Sequence, residues 1–110
     1  MVEVPHIELT TAAWQRSHPG AQLRVCVDSR CDSLAHPSAV PAHLYLPAGV
    51  QPQSAVTLTA SGTRAGHRLL SDRSQVRLKR VVLVKGACGA VSEWRLDVTL
   101  TPAGRLVVAS

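Results

Sequence analysis

The stretch SEWRLDVTLTPAGRLVV, residues 92–108, decides the fold class of the chain. Apolar side chains alternate with polar ones through its first half, and this period of two is typical of a strand with one buried face. Pro102 and Gly104 then supply the residue types of a turn, and Leu106 begins a return strand. The stretch therefore predicts an antiparallel hairpin whose inward face carries Trp94, Leu96, Val98 and Leu100.

The same alternation recurs along most of the chain. The alternation breaks at Arg80, and this break predicts a bulge or a crossing between sheets. Residues 61–66 have the composition of a turn. Residues 12–16 could form one helical turn or a loop, with Trp14 covering the end of the sheet. The predicted strands cover 2–10, 22–27, 42–46, 54–60, 74–84, 93–101 and 106–108. The predicted core residues that precede the turn at 61–66 are Ile7, Leu9, Leu23, Val25, Val27, Leu44, Leu46, Val56, Leu58 and Ala60.

Chain length and strand number together indicate the architecture. With 110 residues, 45% of them hydrophobic and 17% charged, the chain suits one folded domain over 1–110. About seven short strands predict an all-β fold, an immunoglobulin-like β-sandwich of antiparallel strands, with a small β-barrel as the alternative. No apolar run in the sequence is long enough to cross a bilayer as a helix.

Basic residues outnumber acidic ones, and the formal net charge is +5. A basic surface suits an anionic polymer, an anionic lipid or nucleic acid, and the candidate anion-binding residues are Arg73, Arg77, Lys79 and Arg80. Alternation predicts that Arg77 and Lys79 share an outward face, which an ordinary solvated strand would also show. Nucleic acid is the weaker candidate, because single-strand binders stack bases on aromatic side chains and aromatics form 3% of this chain.

The three cysteines permit one disulfide bond. A two-residue turn at Asp28 and Ser29 would set Cys26 directly opposite Cys31 in a pair that is not hydrogen-bonded, where side chains approach most closely. A three-residue turn would instead let Cys31 reach Cys88. Loop entropy favours the longer bridge, at about 4 against about 2 kcal/mol, whereas proximity in sequence favours the shorter one. We expect the bond between Cys26 and Cys31.

Motifs of enzyme chemistry are absent from the sequence. It holds no nucleophile elbow, P-loop, dinucleotide fingerprint or zinc-protease HExxH pair. Carboxylates such as Glu93 and Asp97 alternate outward, where a solvated acid is the usual state. We therefore expect no enzyme activity and no cofactor.

The histidines are scattered along the chain without the spacing of metal ligands. They are therefore expected at the surface, and no metal site is predicted. His43 and Tyr45 share one strand face and could form half of a site, whose other half the sequence does not identify. A separate hypothesis combines His43 with a thiol such as Cys88 to capture a metal ion. The five histidines are His6, His18, His36, His43 and His67.

Four stretches of the chain, taken in order, resemble small secreted proteins and lipoproteins of high-GC actinobacteria. They are VCVDSRC (25–31), VRLKRVVLV (76–84), KGACG (85–89) and EWRLDVTLTPAGRLV (93–107), and the resemblance covers most of the chain from Gln22 onward. It implies a β-sandwich outside the membrane. Members of this group often carry a further cysteine soon after the position of Cys88, where this chain has Val91 and Ser92, and a glycine where it has Ser29.

Compartment and function follow as expectations. Residues 2–11 show no apolar leader segment, so the protein is either cytosolic or has lost a leader ahead of Met1, and the resemblance favours an extracellular or cell-surface location. We expect a non-catalytic binding or structural module of the cell envelope, whose partner is an envelope polymer or protein. The alternative is a basic module that binds an anionic polymer or nucleic acid through its Arg and Lys strand.

Overall fold

A computed structural model describes residues 4–34, 36–38, 40–86 and 89–109, with the side chains of all of these except 83–86 and 89–91. The described residues form nine strands and one short helix. In chain order these are β1 (His6–Thr10), α1 (Ala12–Ser17), β2 (Gln22–Val27), β3 (Arg30–Leu34), β4 (Ala42–Tyr45), β5 (Val56–Arg64), β6 (His67–Val76), β7 (Lys79–Gly86), β8 (Gly89–Leu100) and β9 (Leu106–Val108).

The strands form two sheets that pack face to face. Sheet A has the order β4-β1-β8-β7, with β9 also paired to β8, and sheet B has the order β3-β2-β5-β6. Their apolar faces share one core, so the predicted all-β sandwich is confirmed. One pairing, β1 with β8, is parallel, and the other pairings between described strands are antiparallel. Alternation could not reveal this, because parallel and antiparallel strands share the same period of two.

The core contains the residues that alternation predicts. Leu46 and Trp94 are the two exceptions, because they are only partly buried at the margin of the core. Phenylalanine is absent from the sequence, and branched aliphatic side chains, which suit a pleated surface, fill most of the space between the sheets. The predicted residues that are buried are Ile7, Leu9, Leu23, Val25, Val27, Leu44, Val56, Leu58, Ala60, Leu96, Val98 and Leu100.

Helix α1 holds Trp14 against sheet B, which confirms the predicted helical turn. The indole is 1% exposed, and a Cβ atom built at Gly62 of β5 would lie 2.8 Å from its Cζ2 atom. Gln15 anchors the helix to β3, because its Nε2 donates to the carbonyl of Leu34 at 3.2 Å while its Oε1 accepts from the Thr11 hydroxyl at 2.7 Å. The helix therefore covers a place on the sheet where only glycine fits.

Several predicted boundaries are wrong; β6, for example, begins at His67 rather than at residue 74, and β8 begins at Gly89. Strand β5 continues through Arg64 rather than ending before residue 61, and the turn lies at Ala65 and Gly66, which take positive φ angles of 51° and 79°. The predicted strand 74–84 is divided between the two sheets, because β6 of sheet B ends at Val76 and β7 of sheet A begins at Lys79. Of the two alternatives predicted at Arg80, a bulge or a crossing between sheets, the crossing is therefore confirmed, but it lies before Arg80.

The hairpin of β2 and β3 carries the disulfide bond between Cys26 and Cys31. The two residues are directly opposite, with Cα atoms 4.0 Å apart, and Asp28 begins the turn with a φ of 50°. The Asp28 carboxylate also accepts from the backbone N–H of Thr57 in β5 at 2.8 Å. The predicted pairing is thus the observed one, and the alternative of Cys31 with Cys88 is not formed. Cys88 itself lies outside the described residues.

Candidate functional site

The outer surface of sheet A carries a row of polar side chains, here called the polar face. Strand alternation directs them away from the core, and the strand register sets them side by side. Glu8 of β1 lies opposite His43 of β4 and beside Asp97 of β8, while His6 lies beside Arg95. The polar face consists of His6, Glu8, His43, Tyr45, Glu93, Arg95 and Asp97.

Two members of the polar face are buried although they point away from the core. His6 is 3% exposed and Glu93 is 5% exposed. The sequence predicts a surface histidine and a solvated carboxylate at these positions, and both predictions are wrong. Alternation identifies the side of the sheet on which a residue lies, but the neighbouring side chains decide how much water reaches it.

His6, Glu8 and His43 form a compact group at one end of this face. The Glu8 Oε1 atom lies 3.4 Å from His6 Nε2 and 3.5 Å from His43 Nε2, so one carboxylate oxygen contacts the Nε2 atoms of both imidazoles. The two rings are stacked, with centroids 4.7 Å apart and planes inclined by 26°. On its other side, the His6 Nδ1 atom lies 3.0 Å from the carbonyl oxygen of Val4. The ring of His6 is thus held at both nitrogens.

Arg95 organises the other end of the polar face. Its guanidinium donates to Glu93 Oε1 and to Asp97 Oδ2, each at 3.1 Å. These hydrogen bonds, to Glu93 first and then to Asp97, raise the pKa of Arg95 above its ordinary value. The three residues are spaced by two along β8, and this spacing puts their side chains on one side of a strand. The buried Glu93 carboxylate therefore has a charged partner.

The polar face carries excess negative charge although the whole chain has a formal net charge of +5. Glu8, Glu93 and Asp97 are acidic, and Arg95 is the one permanent cation within the face. Lys79 lies beside Arg95 in the register of β7 and β8, and it is exposed. Among the described residues, the Asp97 Oδ1 atom is a buried side-chain oxygen without a hydrogen-bond partner. The local charge therefore favours a cation.

The structure completes the half-site that the sequence predicts at His43 and Tyr45. Its other half is His6 and Glu8 on β1, a strand far from β4 in the sequence. The Tyr45 ring is 6.2 Å from the His6 ring, and the Arg30 guanidinium lies 5.6 Å from the centre of the Tyr45 ring on the side of β3. The spacing of two within each pair, His6 with Glu8 and His43 with Tyr45, was visible in the sequence. The pairing of β1 with β4, which brings the two pairs together, was not.

The predicted anion-binding residues are not brought together on one face. Arg73 lies on the outer surface of sheet B, opposite Thr59 of β5, whereas Lys79 lies on the outer surface of sheet A. Arg77 falls in the connection between the sheets, and Arg80 donates to the Ser92 hydroxyl at 3.3 Å. Arg77 and Lys79 are both exposed with Leu78 buried between them, but only Lys79 belongs to a strand, because the chain passes from one sheet to the other between Val76 and Lys79.

The remaining histidines are dispersed within the described residues. His18 stacks on Trp14, with ring centroids 4.5 Å apart, and its Nδ1 atom lies 2.8 Å from the Trp14 carbonyl oxygen. His36 and His67 are exposed. The hypothesis that a thiol of Cys88 joins His43 falls outside the described residues. The cluster of His6, Glu8 and His43 is accordingly the place where this part of the chain could hold a metal ion.

Comparison with known proteins leaves the site to be interpreted from its own geometry. No protein-family model, no curated protein and no solved structure matches this chain. Within the described residues, no helix has the length and apolar character needed to cross a membrane.

Proposed function

We propose that the protein is a non-catalytic binding module located outside the cytoplasm, at the cell envelope, and that the polar face binds a ligand that carries positive charge. The observation that carries this proposal is the burial of His6 and Glu93 on the outward side of sheet A. A scaffold surface has no need to withdraw polar groups from water, because their desolvation costs free energy. Binding sites use such fixed groups to hold a geometry before the ligand arrives.

Charge supports the choice of ligand. Within the polar face the acidic members Glu8, Glu93 and Asp97 outnumber its one guanidinium, Arg95, and the cations Lys79 and Arg30 lie beside it. A cationic ligand would therefore be attracted to these carboxylates, although the whole chain has a formal net charge of +5. The alternative, an anionic polymer bound through Arg73, Arg77, Lys79 and Arg80, has less support because Arg73 and Lys79 lie on opposite outer surfaces.

The disulfide bond supports a location outside the cytoplasm, because thiols in the cytosol are mostly kept reduced. The resemblance to secreted proteins and lipoproteins points the same way. Thiol labelling in intact cells tests the location: Cys26 and Cys31 should resist alkylation until a reductant is added. Rapid labelling of both without reductant would contradict it.

Titration with charged peptides tests the binding surface. We expect a lysine-rich peptide to shift the backbone amide resonances of β1, β4 and β8, with an affinity that falls as salt is added. The Glu8→Gln variant should weaken this binding, and Asp32→Asn, a matched change on the exposed edge strand β3, should not. Shifts confined to β6 and β7 with an acidic polymer, and none with the lysine-rich peptide, would favour the anion-binding alternative and overturn the proposal.

A further inference from the structure

We propose that His6, Glu8 and His43 bind a divalent transition-metal ion, with Zn²⁺ as the representative ion. The inference deepens the proposed function, on which it rests for the cationic nature of the ligand at the polar face. Two imidazole nitrogens and one carboxylate oxygen are a donor set that zinc accepts in proteins. The three ligand atoms all lie within 4.8 Å of one another.

Two of the distances match a tetrahedral site. Zinc bonds to His nitrogen and to carboxylate oxygen are about 2.0–2.2 Å long, and a tetrahedral angle then separates two ligand atoms by about 3.3–3.5 Å. Glu8 Oε1 lies 3.4 Å from His6 Nε2 and 3.5 Å from His43 Nε2. The third edge, between the imidazoles, closes by rotation of the His43 side chain, which is 46% exposed. The Glu8 Oε1 and His6 Nε2 atoms are therefore already separated by the distance expected for two ligands of one zinc ion.

The hydrogen bond to Val4 prepares His6 for a metal. A backbone carbonyl can only accept, so the His6 Nδ1 atom at 3.0 Å from the Val4 oxygen carries the proton. In the neutral imidazole the lone pair is then on Nε2, the atom that faces Glu8. A backbone carbonyl that orients a histidine in this way is a usual companion of metal-bound imidazoles.

The Glu8 carboxylate, 3.4 Å from His6 Nε2, has no hydrogen to donate, so either a proton on Nε2 or a cation between the two atoms must join them. A metal ion would take the place of that proton and bond to both atoms. The nearly buried ring of His6, whose side chain is 4% exposed, has little access to water as a substitute. The permanent cation of the polar face, Arg95, is already bonded to Glu93 and Asp97.

The exposure of the three ligands indicates an open site. His6 is buried, the Glu8 side chain is 23% exposed, and the His43 side chain is 46% exposed, so a bound ion would lie at the surface of sheet A. Three protein ligands leave one tetrahedral position for water or for a donor atom of a second molecule. Such an ion could join the polar face to a partner that supplies the fourth ligand.

Calorimetric titration of the full-length chain without a histidine tag tests the proposal. The titration uses Zn²⁺ at pH 7.5, where a free imidazole is mostly neutral, and the Cys88→Ser background, which removes the third cysteine of the sequence. We expect one ion per chain. His43→Ala and Glu8→Gln should each weaken binding by at least the roughly 10- to 100-fold that loss of an outer-shell partner costs, whereas His67→Ala, which removes an exposed histidine of β6, should leave the affinity unchanged.

Nuclear magnetic resonance of the imidazole nitrogens gives a second readout that needs no variant. Addition of Zn²⁺ should shift the Nε2 resonances of His6 and His43 together, at one equivalent, and leave those of His36 and His67 in place. Equal binding by His43→Ala, an equal loss in His67→Ala, or simultaneous shifts of all the histidines would overturn the site. Binding that disappears on replacing Cys88 would assign the metal to the thiol and would also overturn it.

The metal site and the proposed function can fail separately. If Zn²⁺ does not bind but the lysine-rich peptide still shifts β1, β4 and β8, the polar face remains a cation-binding surface and the metal assignment is wrong. If Zn²⁺ binds at the three residues and thiol labelling finds Cys26 and Cys31 reduced in cells, the metal site stands and the envelope location is wrong.

Discussion

Asp72 of sheet B accepts a hydrogen bond from the backbone N–H of Leu106 in sheet A, with Oδ2 and N 2.8 Å apart. Strand β9 pairs with β8 through only three residue pairs, so this contact gives it a second attachment. The bond also joins the two layers of the sandwich directly, whereas most of the contact between them is apolar. Asp72 therefore orients the C-terminal strand on the rest of the fold.

Replacement of Asp72 by Ala should lower the free energy of unfolding by about 1.5–3 kcal/mol, because a hydrogen bond to a charged group is lost and the Leu106 N–H is left without this acceptor. Urea unfolding measures the change. Asp32→Ala, at an exposed position of β3, should change stability by less than about 0.5 kcal/mol. Equal effects of the two variants would contradict the role given to Asp72.

Replacement of Gly62 by Ala should destabilise the protein by about 1–3 kcal/mol, the range observed for overpacked cores. The added Cβ would lie 2.8 Å from Trp14 Cζ2 and 3.3 Å from Leu70 Cβ, so the indole must move. Thermal unfolding measures the loss. In a Trp14→Phe background, where the ring is smaller, Gly62→Ala should cost less than in the native background. An unchanged cost would show that the indole is not what Gly62 accommodates.

Loss of the disulfide bond should reduce stability by about 2 kcal/mol, the value for a short closed loop. Cys26→Ser, Cys31→Ser and the double variant should unfold at the same urea concentration, because each removes the same bond. Tryptic mapping without reductant should recover peptide 25–30 joined to peptide 31–64. A linked peptide that contains 86–95, which carries Cys88, would show a different pairing.

Replacement of Arg95 by Met should destabilise the protein by about 1–3 kcal/mol, because the buried Glu93 carboxylate loses its charged partner. Guanidinium chloride unfolding measures the change. The double replacement Glu93→Gln with Arg95→Met should recover much of the stability, since no buried charge is left unpaired. Arg24→Met, on the exposed side of β2, serves as the control. A double variant as unstable as Arg95→Met would contradict pairing as the cause.

The contribution of Arg95 should not vary with pH in the usual working range. Its pKa is raised in the folded protein by Glu93 and then by Asp97, so its stabilisation is complete below the pKa of the unfolded chain. That stabilisation is lost only as the pH rises through the pKa of Arg95 in the folded protein, which lies above the ordinary arginine value. The difference in unfolding free energy between native protein and Arg95→Met should therefore not change between about pH 8 and about pH 10.

Much of the fold follows from patterns that are local in sequence. Alternation predicts the inward residues of β1, β2, β5 and β8, and the Asp28–Ser29 turn predicts the opposition of Cys26 and Cys31. The misplaced end of β5 has a local cause. Small polar residues such as Ser61 and Thr63 suit a turn or a strand equally well, and pairing with β2 and β6 keeps them in β5.

Only half of the candidate site could be predicted from the sequence. His43 and Tyr45 share a face by spacing alone, but Glu8 meets His43 because β1 and β4 are neighbours in sheet A. Composition also misled the interpretation of charge. An excess of basic residues predicts a basic stripe, whereas three of the acidic side chains gather on the polar face around Arg95.

Period-two alternation and turn residues act within a few residues, and they were enough to specify a β-sandwich, its core and its hairpin disulfide from the amino-acid order. The choice of strand neighbours depends on which apolar faces pack together across the whole chain, and no local pattern encodes it. That choice placed His6 between β4 and β8, surrounded it and Glu93 with other side chains, and brought Glu8 within ligand distance of two imidazoles. Long-range pairing is therefore what turned scattered polar residues into a candidate site.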